Sequence, residues 1–376
     1  MRICYCISHF HPVASGAERQ AHLQAVELAR RGHQVQVITR AVDGCSEREK
    51  IGGVSILRVI RPREFGPLFG VTFVTTLRAA LRRLAESFDL VHCHQGLWEA
   101  VAAGSVLHKI GRPSVVQPAA GGEFGELHIL KRTRGRNILR RLILKNSHFV
   151  AISTQIEQEL IDFGVDRSRL SRLASGVDTE TFSPGVSAVE AHLPPRPRAI
   201  FLGRLHAQKN LRTLISAWPA VRKRVPASLI LAGDGPDRKE LSELAQRLNI
   251  ADSVTFVGAV SNPVDYLRAA DVFVLPSVAE GMSNSLLEAM SVGLPVVVSN
   301  IGGNADLITD GQNGRLVEQS NVAAWSEAIS QSIESAAKSS EQGRAARELV
   351  MNQFSIRVIV DRYIDLYERL LGTEAS

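Results

Sequence analysis

Two carboxylates close together in the chain offer the clearest chemistry. Glu280 and Glu288 belong to EGMSNSLLE, which follows the apolar run DVFVLPS and opens a helical pattern with Ser283 or Asn284 placed as its cap. A loop passing from a buried strand into a helix N-terminus exposes backbone N–H groups. Here Gly281, Met282, Asn284, Ser285 and Leu286 carry them, and the helix dipole adds to their attraction for an anion such as a diphosphate. Carboxylates facing that anion would be repelled, so Glu280 and Glu288 are expected to accept hydrogen bonds from hydroxyls, for which a sugar and a ribose are the obvious sources. The plainer alternative makes Glu288 a first-turn acid that suits the dipole and Glu280 an exposed loop residue. Gly203-Arg204-Leu205-His206-Ala207-Gln208-Lys209-Asn210 supplies the complementary charge. Arg204 can donate a bidentate pair to phosphate oxygens and Lys209 adds a point charge, so together they could offset charge building on a leaving diphosphate. A surface pair with no ligand is the competing reading. Near the amino terminus, Ser15-Gly16-Ala17-Glu18 leads into another helix, and Gly16 would let a ligand approach the backbone.

These loops need strands behind them. Strand-like runs fall at 2–7, 34–39, 54–60, 89–92, 114–117, 148–152 and 170–173, with a helical pattern over 17–31 closed by Gly32. After SPGVSAVEAHLPPRPR at 183–198, rich in Pro and small residues, a second series begins. Its strands are expected at 199–203, 228–233, 253–257, 272–275 and 296–299, and its helices at 211–225, 238–248, 263–269 and 285–292. Continuous apolar strands alternating with helices imply parallel sheets covered on both faces. The expectation is an α/β chain of two Rossmann-like, doubly wound domains, 1–183 and 199–354, joined by a linker at 184–198 and facing a cleft. A last helix over 355–376 is expected to pack back on the first domain. Ligands in such sheets bind beyond the carboxyl ends of the strands.

Composition bounds the rest. The chain of 376 residues, 45% hydrophobic and 22% charged, suits a soluble globular protein of two domains. The amino terminus shows no leader, and no apolar run approaches the ~18 residues of a spanning helix, which points to the cytoplasm. Cys4, Cys6, Cys45 and Cys93 lack the spacing of a disulfide framework or a metal site. Part of the net charge of +6 gathers in residues 131–145 as Lys131, Arg132, Arg134, Arg136, Arg140, Arg141 and Lys145, with no acid among them. That segment is either a solvated face near an anionic substrate or a patch for phosphate head groups or a polyanionic acceptor. Its interleaved Ile138, Leu139, Leu142, Ile143 and Leu144 suit an amphipathic surface helix, and so peripheral contact with the inner face of a membrane. Interleaved aromatics are missing, which argues against nucleic acid.

The motifs, taken in order, resemble glycosyltransferase family 4, of the GT-B fold. They are Gly16 with Glu18, RRGHQVQVITR, SGVDTETFSP, GRLHAQKN, LAGDGP, VTFVGAV, the pair Glu280 and Glu288, GLPVVVSNIGG and DGQNGRLV. The resemblance runs from about residue 1 to residue 318. It implies sugar transfer from a nucleotide diphosphate with retention and without a metal; a hexose-type sugar, UDP as the nucleotide and a sugar or lipid-linked acceptor, the last suited to the basic segment, are the expectations set beside it. It also implies roles: Arg204 and Lys209 stabilise the diphosphate, Glu280 contacts the donor sugar, Glu288 holds the ribose, and Gly16 touches the phosphates with help from N–H groups around Ser285 and Leu286. No Asp-x-Asp occurs in the chain to hold a divalent ion, in keeping with that implication. Many family members carry a His after the strand that here ends Ser114-Val115-Val116-Gln117, yet Pro118 to Gly125 has none. Gln117 or Glu123 could line the acceptor side, under a glycine-rich loop that closes over it. His92 and His94 alternate onto one strand face; each reads as a structural imidazole, with His94 the candidate for a sugar contact. A non-hydrolysing sugar-nucleotide epimerase would share this chemistry but needs an acid and a base that no residue supplies. A dehydrogenase lacks its GxGxxG. A catalytically silent nucleotide-sugar scaffold would have no need of Arg204, Lys209, Glu280 and Glu288 together.

Overall fold

The computed structural model describes residues 1–12, 15–66 and 68–372, which form two compact units, Met1–Gly176 with Ile356–Ser376, and Val177–Ser355. In the first, the strands are β1 (Arg2–Cys6), β2 (Gln34–Arg40), β3 (Arg48–Ile51), β4 (Val54–Ile60), β5 (Leu90–Cys93), β6 (Ser114–Val116), β7 (His148–Ala151) and β8 (Leu170–Arg172). They order as β3-β4-β2-β1-β5-β6-β7-β8. Every residue of β5, β6 and β7 is buried, which is why those strands are mostly apolar without alternation, His92, Ser114 and His148 excepted. The sheet departs from the expected all-parallel form at its edge, where β3 pairs antiparallel with β4. Arg48, Glu49 and Lys50 face solvent there, so the strand reads as a polar loop while its charges keep the edge from pairing further.

Helix Gly16–Arg30 and helix Ile356–Leu371 cover one face of this sheet in a shared core, with Ala21, Ala25 and Leu28 of the first and Ile359, Val360, Tyr363 and Tyr367 of the second. Arg31 fastens them at the surface, bonding to Asp361 and donating to the Arg357 carbonyl at 2.9 Å. The last helix is thus part of the first unit.

The second unit holds β9 (Arg198–Leu202), β10 (Ser228–Ala232), β11 (Val254–Gly258), β12 (Val272–Leu275), β13 (Val296–Ser299) and β14 (Arg315–Val317), all parallel, in the order β11-β10-β9-β12-β13-β14. The short β14 was not expected, since GRLV offers no alternation or length. The segment 184–198, expected as a linker, is fixed within this unit. Arg198 donates to Glu190 at 2.8 Å and to the Ala269 carbonyl at 3.0 Å, and Arg196 reaches Asp271 at 2.5 Å. Its prolines shape a folded strap, and the chain passes between the units at Gly176–Val177, where Gln20 brackets Gly176 on one side and the Val177 N–H donates to Phe354 on the other.

Candidate active site

The second sheet reverses its winding between β9 and β12, and loops leaving the carboxyl ends of two such strands diverge around a crevice. Residues 203–209 follow β9 and residues 276–283 follow β12, so the two loops singled out by their chemistry bracket this point. Close backbone approaches build it. A Cβ on Gly233 would lie 1.8 Å from the Gly203 carbonyl oxygen, and one on Gly303 would lie 2.1 Å from that of Gly281. Only glycine permits either contact.

Within this frame Lys209 Nζ donates to Glu280 Oε1 at 2.5 Å, and Ser277 Oγ donates to the same oxygen at 2.6 Å. Backbone and side chain stitch the loops further, with the Val278 N–H on the Gln208 carbonyl and Gln208 Nε2 on the Ala279 carbonyl, both at 2.9 Å. Glu280 is 6% exposed, which excludes the reading of it as a solvated loop residue. Arg204 is exposed and has no hydrogen bond or ion pair among the described residues. The two cations therefore differ: Lys209 is occupied by a carboxylate, whereas Arg204 is available to an incoming anion.

Helix Asn284–Val292 begins beside them. Ser283 is its cap and accepts the Leu286 N–H at 3.4 Å, so that donor, expected to face an anion, is turned to the cap instead. Ser285 Oγ lies 3.2 Å from Ser283 Oγ, and Asn284 starts the helix at its half-exposed end. Gly281 and Met282 are buried at the approach. Glu288 is buried in the second turn, where no helix-dipole argument explains an acid.

The first sheet has its own switch point, between β1 and β5. Helix Gly16–Arg30 starts there, with Gly16 exposed in its first position and the capping Ser15 hydroxyl bonded to the buried Glu18. His94 follows β5 but is only 2% exposed, stacked on His92 at 4.1 Å and near Tyr5 at 4.3 Å. Burial and the neighbouring His92 hold its pKa well below the usual imidazole value, so it is neutral. Gln117 is buried too, its Oε1 taking the Tyr363 hydroxyl at 2.7 Å, whereas Glu123 is exposed. The glycine-rich residues 118–125 are pinned. Glu126 accepts the N–H groups of Ala119 at 2.8 Å, Ala120 at 3.2 Å and Gly96 at 3.4 Å, and Glu159 accepts that of Gly122 at 2.7 Å. Sequence reasoning missed both carboxylates; the signal was an acid directly after a glycine-rich run, free of any competing cation until Lys131.

Comparison with known proteins decides the family. The model described as Glycosyltransferase Family 4 matches residues 14–181, and that described as Glycosyl transferases group 1 matches 196–335. An uncharacterised glycosyltransferase of Methanocaldococcus jannaschii is 30% identical over 78% of this chain and 79% of its own length. The chain belongs to glycosyltransferase family 4. A GDP-mannose-dependent alpha-(1-6)-phosphatidylinositol monomannoside mannosyltransferase of Mycobacterium tuberculosis is also similar, 29% identical over 80% of this chain and 81% of its own. HepE of Anabaena, solved in complex with UDP and glucose, superposes with a TM-score of 0.81 at 21% identity, covering 98% of this chain and 99% of that one, which gives this glycosyltransferase the GT-B fold.

The basic segment of the glycosyltransferase is divided between helix Glu126–Arg132 and helix Arg136–Ile143. The apolar side of the second turns inward, burying Ile143 and half-burying Leu139 and Leu142, and a Cβ on Gly104 would meet the Leu142 carbonyl oxygen at 1.9 Å. Arg140 donates to the Phe163 carbonyl at 2.6 Å over that ring while remaining exposed. Lys131, Arg132, Arg134, Arg136, Arg140, Arg141 and Lys145 face solvent, with Ile138 and Ile129. No helix among the described residues is long and apolar enough to cross a membrane.

Proposed function

We propose that this glycosyltransferase transfers a hexose-type sugar from a nucleoside diphosphate, with UDP the favoured nucleotide, to a sugar or lipid-linked acceptor, with retention and without a metal. The observation that carries the reading is the largely buried Lys209–Glu280 pair at the β9–β12 switch point, which joins the loop that holds Arg204 to the approach of the helix that holds Glu288. Arg204 takes the diphosphate oxygens, and Lys209 moves from Glu280 to join it as charge builds there. Glu280 accepts a hydroxyl of the donor sugar, Glu288 those of the ribose, and Gly203, Gly281, Met282, Asn284, Ser285 and Leu286 form the walls. Gly16 approaches the phosphates and His94 stands behind the acceptor side. HepE, crystallised with UDP, supports the choice of nucleotide, and the missing Asp-x-Asp supports a metal-free site, its charge work done by the two cations.

The bond from the anomeric carbon to the β-phosphate oxygen breaks as the acceptor oxygen attacks the same face. The acceptor proton passes to the departing diphosphate, so no protein nucleophile enters. Trapping a glycosyl–carboxylate adduct that turns over would exclude this route.

The test is a thermal-shift screen against UDP, GDP and ADP sugars, with and without EDTA, on the native chain and on Glu288→Ala and Arg204→Ala. A shift specific to one nucleotide, indifferent to EDTA and lost in the variants, is expected. No shift with any of them rejects the donor site as drawn. The acceptor is proposed to reach the enzyme at an anionic surface, because the outward side of residues 131–145 is cationic while their apolar side is already packed. Charge reversal at Arg134, Arg136 and Arg141 should abolish sedimentation with anionic vesicles; unchanged sedimentation rejects it.

A further inference from the structure

Behind Glu280 lies a line of buried polar side chains for which packing offers no reason. Ser277, Ser299 and Asn304 are each fully buried, at the ends of the apolar strands β12 and β13 and in helix Gly302–Leu307. Asn304 Nδ2 donates to the Ser299 carbonyl at 3.1 Å and to Ser299 Oγ at 3.3 Å. The single hydroxyl proton of Ser299 must then be given onward, and it goes to the Ser277 carbonyl at 2.6 Å, with the Leu275 carbonyl more distant at 3.4 Å. Ser277 in turn gives its one proton to Glu280 Oε1 at 2.6 Å. Ser299 thus holds the Ser277 main chain, and the Ser277 hydroxyl is given to a carboxylate in a charge-assisted bond.

We propose that Ser277, held by Ser299 and Asn304, is a positioning residue that presets the Glu280 carboxylate for a hydroxyl of the donor sugar. The inference rests on the reading of Glu280 given above. Oε1 receives both Ser277 and Lys209, while Oε2 has no hydrogen-bond donor among the described residues and is the acceptor left for a ligand. When Lys209 leaves for the diphosphate, Ser277 alone keeps the carboxylate from rotating. Gly303, next to Asn304, packs against the Gly281 backbone beside Glu280, where a Cβ would lie 2.1 Å from the Gly281 carbonyl oxygen.

Calorimetric titration of the full chain with UDP and UDP-glucose, and with GDP and GDP-mannose, separates nucleotide binding from the sugar's contribution. Ser277→Ala should leave UDP and GDP affinity unchanged and weaken the preferred nucleotide sugar by about tenfold, the order of one hydrogen bond to a charged group. Ser277→Thr, which keeps the hydroxyl, should restore most of it, and Ser299→Ala should give a smaller loss of the same kind. In a Glu280→Ala background Ser277→Ala should cost nothing more, because a positioning residue acts only through what it positions. A loss that persists in that background, or that extends to the bare nucleotides, makes Ser277 structural and overturns the proposal. So does native affinity in Ser277→Ala. If Glu280→Ala itself binds nucleotide sugar as the native chain does, the reading of Glu280 is what has failed, and the relay falls with it.

Discussion

Removing Lys209 should expose how much the Glu280 carboxylate depends on it. The pair is largely desolvated, with side-chain exposures of 19% for Lys209 and 7% for Glu280 at 2.5 Å. Breaking one partner of a buried pair costs about 3–5 kcal/mol, because the survivor is left charged and unsolvated. Here the bond from Ser277 persists and the lysine end reaches water, so about 2 kcal/mol is the better expectation for Lys209→Met, or a fall of about 4–8 °C in the melting of a domain this size. The informative variant is Lys209→Met combined with Glu280→Gln. Neutral isosteres need no desolvation, so the double variant should regain most of the lost stability while losing affinity for the diphosphate. Calorimetric melts of the four proteins, paired with UDP titrations, read both quantities. A double variant no more stable than Lys209→Met alone would refute the coupling, and UDP affinity kept in Lys209→Met would refute the transfer of that lysine to phosphate.

Two further outcomes follow from the packing. Gly303→Ala forces a methyl group against the Gly281 backbone oxygen and should destabilise the second unit by about 1–3 kcal/mol, read by chemical denaturation. Glu126→Ala strips the acceptor from the N–H groups of Ala119, Ala120 and Gly96, so hydrogen exchange over 118–125 should speed up while exchange in the second unit stays as it is.

The sequence placed the second unit's candidate residues on their elements because those signals are local. Arg204 and Lys209 sit in the loop after one strand, and Glu280 and Glu288 flank the cap of one helix. What it could not carry is pairing across the fold. Lys209 and Glu280 are separated by 71 positions, and nothing in either loop says that they meet. Glu126 and Glu159 escaped for a different reason, because they act on backbone N–H groups that any sequence could supply. The Pro-rich strap was misread for another reason: proline and small residues mark an irregular path, and irregular is not the same as unpinned, since Arg196 and Arg198 tie it to Asp271 and Ala269 outside it and to Glu190 within it. Amphipathicity likewise says that a helix has an apolar side without saying what covers it, and in Arg136–Ile143 that side packs inward.

The first unit should show a stability maximum close to pH 6.5, because its buried titratable groups act in opposite senses. His92 is buried, its Nδ1 2.6 Å from the Tyr367 hydroxyl, and burial lowers its pKa from 6.5 to about 3. Burial likewise lowers that of His148 to about 4 and that of His94 well below its usual value. Between those values and 6.5 the unfolded chain binds more protons than the folded one, so stability rises with pH across that interval and is lost as pH falls through it. Glu99 works the other way. Buried beside Ser8, whose hydroxyl reaches it at 2.5 Å, its pKa is raised from 4.5 to about 8. The folded chain holds that proton where the unfolded one has released it, so the stabilisation is whole below 4.5 and is lost as pH rises through 8. Below 6.5 the histidines outweigh the buried carboxyls Glu99 and Glu126, both raised by burial; above 6.5 the histidines add nothing further and Glu99 lowers stability by up to about 1.4 kcal/mol per pH unit until it ionises. Melting of the native chain should therefore fall between pH 6.5 and 8, and Glu99→Gln should flatten that limb while leaving the acid limb in place. A native and a Glu99→Gln protein that lose stability in parallel above pH 6.5 would place the titrating group elsewhere.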